Sequence, residues 1–168
     1  MTYPVSVEQE RLTSPIPSRA LLRKLRSEPA SLRPPLKWAG GKRWQLPHLR
    51  PVWQLHAHRR LVEPFSGGLA VTLGLTPERA VLNDVNPHLV NFYRHLKRGF
   101  MIDMPLRNSR EAYDRARNRF NALLQSDQED THEAATLFYY LNRTGYNGLC
   151  RFNQKGGFNV PFGWHPTL

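Results

Sequence analysis

The residues whose types and spacing suit chemistry begin in two short stretches, VEPFSGG (62–68) and LNDVN (82–86). A glycine pair such as Gly67-Gly68 lets main chain approach a bound molecule closely. Asp84 stands sixteen residues beyond Gly68, at the end of an apolar run. An acid placed there can accept hydrogen bonds from both hydroxyls of a ribose. A pyrophosphate would call for G-x-G-x-x-G, and FSGGLA is not that pattern. Glu63, at the mouth of the same loop, would repel phosphate and could hold an ammonium group. A molecule with a ribose, no phosphate and a cationic amino-acid tail is S-adenosylmethionine. The competing reading is a glycine turn packed tightly against a helix, with Asp84 as an ordinary cap. Further along, NRTGYNGLCRFNQKGGFNVPFG (142–163) sets planar amides and aromatic rings on a glycine-jointed ribbon. Taken alone, it reads as a Gly/Asn-rich surface hairpin.

These residues need elements to position them. RRLVEPFSGGLAVTLGL reads as a short strand at about 60–63, a loop, and a helix from about 69. RAVLNDVN rises as a second strand to Asp84. Asn86 caps a helix with Pro87 at its first position, running through HLVNFYRHLKR. In SREAYDRARNRFNALLQS, Ala112, Ala116, Phe120, Leu123 and Leu124 form a helical stripe. DTHEAATLFYYLNRT opens with a capping-box pattern at Asp130 and Glu133. NQKGG predicts a hairpin turn between short strands. Strand, glycine loop, helix and a strand ending in an acid form the opening of a parallel nucleotide-binding sheet, an α/β class. Ligands of such a sheet sit beyond the C-terminal ends of its strands.

Composition narrows the partners. The chain has 168 residues, enough for one domain or a domain plus a small insertion, and a formal net charge of +11. The surplus is uneven: twelve Lys/Arg face three acids in residues 1–60, against twelve and ten in 61–168. A polyanionic partner fits that excess, as does a solvated basic tail. Residues 1–33 read as a disordered basic arm, with six prolines before residue 36. Within it, SRALLRKLRSE could form a short basic helix. Cys150 is the only cysteine, which excludes an intramolecular disulfide and a multi-thiolate metal site. His56 and His58 are the only close histidine pair and lack a third ligand at a metal spacing. No apolar run approaches the roughly 20 residues of a membrane span, and Glu8 and Glu10 argue against a transit peptide. The expectation is a cytoplasmic protein without membrane contact.

Four motifs, LKWAGGK (36–42), VEPFSGG (62–68), LNDVN (82–86) and the 142–163 ribbon, come in the order of the Dam-type DNA adenine methyltransferases, which the chain resembles over about residues 36–165. The resemblance implies an incomplete Rossmann-like S-adenosylmethionine-dependent sheet with a helical and β-hairpin DNA-recognition insertion. It implies a cofactor-binding part at 34–100 and a target-recognition region at 101–168. Trp38 and Lys42 would contact S-adenosylmethionine, the ring by packing and the lysine near the methionine carboxylate. Glu63, Pro64 and Phe65 would form the loop wall with Gly67 and Gly68, and Asp84 would take the ribose. The chain departs from the family at Leu69, where F-x-G-x-G carries its last glycine. In the hairpin, Arg151 could pair with guanine, and Asn153 or Asn147 could read an adenine edge or the backbone. Tyr146 could enter the base stack and fill the space of a displaced base. Leu149 and Pro161 would give apolar contact to a thymine methyl or sugar, and Lys37 would touch a base or phosphate. His165 occupies a position that many relatives fill with tyrosine.

Methylating the exocyclic amine of adenine requires a flipped base held by hydrogen-bond acceptors and an aromatic face. The family supplies these with Asp-Pro-Pro-Tyr after the hairpin, and that tetrapeptide does not occur in the chain. The expectation is therefore the N-terminal portion of an adenine methyltransferase: cofactor half-site and DNA reader, without a catalytic centre of its own. A C-terminal complementing fragment and double-stranded DNA are the implied partners. A non-catalytic DNA-binding module is the alternative, and a nicotinamide dehydrogenase fragment is disfavoured by the missing pyrophosphate glycines. Cytosine-carbon methylation needs a cysteine nucleophile, typically after proline, whereas Cys150 follows Leu149 and reads as a small packed residue.

Overall fold

The computed structural model describes residues 32–102 and 104–164; the expectation of a disordered arm falls, but for its last two residues, outside them. Two strands, β1 (Leu61–Glu63) and β2 (Ala80–Leu82), pair in parallel with Leu61 opposite Ala80 and Glu63 opposite Leu82. Helix α2 (Ala70–Leu75) forms the connection between them. The mixed helix and strand content with a small parallel sheet agrees with an α/β class. Parallel strands normally bury both faces, yet here Val62, Val81 and Leu82 are all exposed, Val81 at 42%.

Helix α1 (Leu46–Leu55) has no counterpart among the elements read from the sequence. Pro47 lies in its first turn and Pro51 inside it, so the residues that usually punctuate a helix hide this one. Only Leu46 of α1 is buried. It packs over Gly74 of α2 so closely that a Cβ there would lie 2.3 Å from both Leu46 methyls.

Three longer helices carry the main core: α3 (Pro87–Lys97), α4 (Arg110–Gln125) and α5 (His132–Thr144). Asn86 caps α3 as expected, its side-chain oxygen accepting from the amides of His88 and Leu89 at 3.0 and 3.2 Å. Ser109 caps α4 through Ala112 N at 3.2 Å. The buried stripe of α4 is Tyr113, Ala116, Phe120 and Leu123, turned slightly from the expected Ala112 and Leu124. The cap of α5 is Thr131, one residue beyond the expected Asp130; its hydroxyl accepts from Ala134 N at 3.2 Å. Glu133 instead forks onto Arg119 of α4 at 2.6 and 2.7 Å.

The core joins Leu36, Leu89 and Phe92 to Tyr113, Phe120, Phe138, Tyr140, Leu141 and Val160. It therefore crosses residue 100, where the sequence suggested a change of role. The ribbon is tied to α4 by buried polar contacts. Tyr113 donates to Val160 O at 2.8 Å, and the Asn121 amide pairs with both main-chain groups of Phe158 at 3.1 and 2.7 Å. The expected strands of the hairpin reduce to two antiparallel bridges, Gly145 with Phe162 and Phe152 with Phe158.

Truncating Phe92, which is fully buried, to Ala should cost about 3–5 kcal/mol in urea unfolding. Val81→Thr should change stability by less than about 0.5 kcal/mol, because its side chain meets solvent.

Candidate functional site

A cleft of about 190 Å³ opens beside the C-terminal end of β1. It is lined by the WAGGK turn (Trp38 to Lys42), by Glu63 and Phe65, and by the Ser66-Gly67-Gly68 loop. Of the expected cofactor residues it gathers Trp38, Lys42, Glu63, Phe65, Gly67 and Gly68. Pro64 and Asp84 lie outside its lining.

The glycine loop is shaped by a ring before any ligand is considered. A Cβ on Gly67 would sit 2.9 Å from Trp38 Nε1, and one on Gly68 would sit 2.9 Å from Trp38 Cβ. Gly67 also has φ +45°, a conformation open mainly to glycine. Tyr93 of α3 donates to Gly67 O at 3.0 Å, and burial together with Asp84 and Glu63 raises its pKa far above the phenolic range. Asp84 braces the loop from behind: one carboxylate oxygen accepts from Gly67 N at 2.8 Å, the other from Asn86 N at 3.0 Å. The capping alternative is thus met in part, and each oxygen retains a further acceptor direction. Leu69, at the departure from the family pattern, takes φ +60° while 7% exposed. The backbone keeps the left-handed shape that a glycine adopts without cost.

Glu63 accepts a hydrogen bond from the hydroxyl of Thr72. Burial raises its pKa above the usual carboxylate range, against the lowering effect of Thr72. Lys42 Nζ donates to Gly40 O at 2.7 Å and remains at the surface.

A single buried amide connects this cleft to the ribbon. Asn142, 2% exposed, accepts from Lys37 N at 2.8 Å and donates to Lys37 O at 2.7 Å and Gly148 O at 3.0 Å. Gly148, at φ +62°, leaves room for Lys37, whose Cβ would lie 2.3 Å from an added methyl. A second tie comes from Asn86, whose amide donates to Cys150 Sγ at 3.3 Å. Burial pushes the Cys150 thiol up to about 11, which suits a packed residue and not a nucleophile.

Residues 38–167 match the family of D12 class N6 adenine-specific DNA methyltransferases. The chain belongs to this family. It is 44% identical to a DNA adenine methylase of Vibrio cholerae over 136 residues, covering 76% of this chain and 47% of that protein. Identity to the DNA adenine methylase of Haemophilus influenzae is 39% over 144 residues, 80% of this chain and 48% of the relative. The Escherichia coli K12 enzyme of the same name is 39% identical over 136 residues, 76% and 46% of the two chains. The chain spans about half the length of the curated relatives it matches.

Within this D12-class chain the ribbon residues take distinct positions. Tyr146 is half exposed and Asn147 is exposed at φ +51°. Pro161 is exposed, whereas Leu149 packs partly against the core. Arg151 lies along Asn159, donating from Nε to its side-chain oxygen at 2.8 Å. Asn153 Oδ1 closes the turn by accepting from Lys155 N and Gly157 N at 3.0 and 2.9 Å. Lys37 Nζ donates to Arg143 O at 3.2 Å, and burial with the Arg143 charge lowers its pKa. His165 lies outside the described residues. The sequence reading missed Asn142, Tyr93 and the Asn86 to Cys150 tie. For Asn142 a signal existed: an amide directly following the apolar run LFYYL, where only a satisfied polar group can be buried.

Asn142→Leu should cost about 3 kcal/mol or more, since it orphans two groups of Lys37 and one of Gly148. Hydrogen exchange should show the Lys37 amide losing protection. Glu63 gives a pH dependence of known sign. Its folded pKa is raised, so the folded chain holds the proton more tightly, and stability falls as pH rises from the unfolded carboxylate range through the folded value. Glu63→Gln, which can still accept from Thr72, should remove that fall and make the chain more resistant to urea at neutral pH than the wild type.

Proposed function

We propose that the chain provides the S-adenosylmethionine half-site and the DNA-reading ribbon of an adenine-specific DNA methyltransferase. The reaction moves a methyl group from the sulfonium to the exocyclic amine of adenine in duplex DNA, and the amine loses a proton. The observation that carries this reading is the Asn142 clamp. It holds the segment preceding the WAGGK turn and the recognition ribbon as one unit, so that a molecule in the cleft and a duplex on the ribbon share a frame.

The donor set of the cleft fits the cofactor. Glu63 is a carboxylate partly withdrawn from water, which favours pairing with an ammonium group. Lys42 stands on the opposite turn for a carboxylate, the Trp38 and Phe65 rings supply apolar walls, and Asp84 has acceptor capacity left for ribose hydroxyls. When bound, the cofactor supplies an electrophilic methyl group. The protein's part is to hold that group in register with the ribbon. A volume of about 190 Å³ falls below the roughly 300–1,000 Å³ of complete small-molecule sites, as expected for one wall of a site. On the ribbon, Arg151 is assigned to guanine, Tyr146 to the opened stack, Asn147 and Asn153 to base edges or backbone, and Leu149 and Pro161 to apolar contacts; Lys37 is assigned to a base or phosphate beside the cofactor turn, and His165 to DNA contact. The exposed valines and leucine of β1 and β2 support placing further sheet, with the Asp-Pro-Pro-Tyr centre, on a complementing C-terminal segment.

Calorimetry tests the reading. S-adenosylmethionine should bind the chain measurably, and Asp84→Ala and Glu63→Gln should each weaken it, with circular dichroism confirming that the fold persists. Tritiated-methyl transfer to duplex DNA should be absent with the chain alone and appear when a segment bearing Asp-Pro-Pro-Tyr is added. No binding at millimolar ligand by a folded chain would favour the DNA-binding module without cofactor. Robust transfer by the chain alone would refute the assignment of catalysis to a separate segment.

A further inference from the structure

Trp164 ends the ribbon with 76% of its surface exposed and is absent from the residues packed against the core. Its φ is +40°, the left-handed region that a bulky residue adopts only at a cost. The residue before it is held in place, Gly163 N donating to Thr144 O at 2.9 Å. Exposure of the largest apolar ring and a strained backbone are each unfavourable for folding, and residues held that way cluster at functional sites.

The ladder places this ring relative to Tyr146. Tyr146 N donates to Pro161 O at 2.9 Å, Gly145 bridges Phe162, and Gly163 follows opposite Thr144. Trp164 therefore leaves the ladder three residues beyond the rung that holds Tyr146. At roughly 3.3 Å per residue that is about 10 Å along the ribbon's main chain, comparable to three steps of about 3.4 Å along a nucleic acid strand. An indole there has no charge for a phosphate, and its flat face matches a base.

We propose that Trp164 is a second DNA contact of the ribbon, laying its indole on a nucleobase a few steps from Tyr146. The proposal rests on the DNA-binding reading above and adds to it a specific aromatic platform, one that stacks where the duplex is opened.

Fluorescence and stability together test it. Indole emission should be quenched when the full chain is titrated with a duplex carrying its target, and the component that disappears in Trp164→Phe should account for most of the change over Trp38, Trp44 and Trp53. Trp164→Ala should weaken DNA binding about tenfold without altering the slope of log affinity against log salt, since no phosphate contact is lost. Trp164→Phe should restore most of the affinity. Trp164→Gly should weaken binding equally while raising the melting temperature, because glycine relieves the backbone. A chain that binds DNA with Trp164 emission unmoved, and with Trp164→Ala at wild-type affinity, would overturn this proposal and leave the ribbon's role intact. No DNA binding by the folded wild-type chain would overturn both.

Discussion

The arrangement depends on the side-chain amide of Asn142. A buried amide must find partners for its donors and its acceptor or cost several kcal/mol, and Asn142 finds them on one segment 105 residues away in the chain and on its own neighbouring turn. Its oxygen takes Lys37 N, and its nitrogen holds Lys37 O and Gly148 O. The pairing with Lys37 imitates a strand ladder without a strand. It fixes the main chain just before Trp38, and Trp38 in turn occupies the space that Gly67 and Gly68 leave open. From one amide the order runs to the ring, to the glycine loop, and so to the wall of the cleft.

Asp84 performs the matching task on the other side. The sequence placed it at the end of a second strand as a ribose acceptor or a cap, and the structure shows it spanning Gly67 N and Asn86 N. Those bonds join the loop after β1 to the start of α3. Asn86 then reaches Cys150 in the ribbon. Loop, helix start and ribbon are thus linked twice, once through Asn142 and once through Asp84 and Asn86. Neither link runs through the sheet, which explains how two three-residue strands with exposed side chains can still carry an ordered cleft. The weight falls on the helical core around Phe92, Phe120 and Phe138.

Much of this was legible. The cap of α3 followed from Asn86-Pro87, the strand positions from two apolar runs, and the cleft from glycines and acids at their ends. What was not legible depended on partners distant in sequence. Nothing local distinguishes Gly67 as a socket for Trp38 from Gly67 as a clearance for a ligand. Helix α1 was hidden because Pro47 and Pro51 sit where proline is tolerated in a first turn and where it is not. Thr131 displaced Asp130 as a cap because both are good caps, and Glu133 was free to serve Arg119. The ribbon's polar residues were read as DNA contacts or as part of a surface hairpin; in the structure Asn153 spends its oxygen on the turn and Arg151 lies along Asn159. Residue type announced hydrogen bonding there and left its direction open.

Two titrating groups bring the cleft and the ribbon into one electrostatic picture. Burial raises Glu63 and lowers Lys37, so each is held in surroundings that disfavour its own charge. For Glu63 such a cost is relieved by a partner of opposite sign. Glu63 lines the cleft, and Lys37, just before the WAGGK turn, donates to Arg143 O at the start of the ribbon. Under the proposed function, the carboxylate in the cleft and the lysine at the ribbon are the groups that a cationic methyl donor and a polyanionic acceptor would meet.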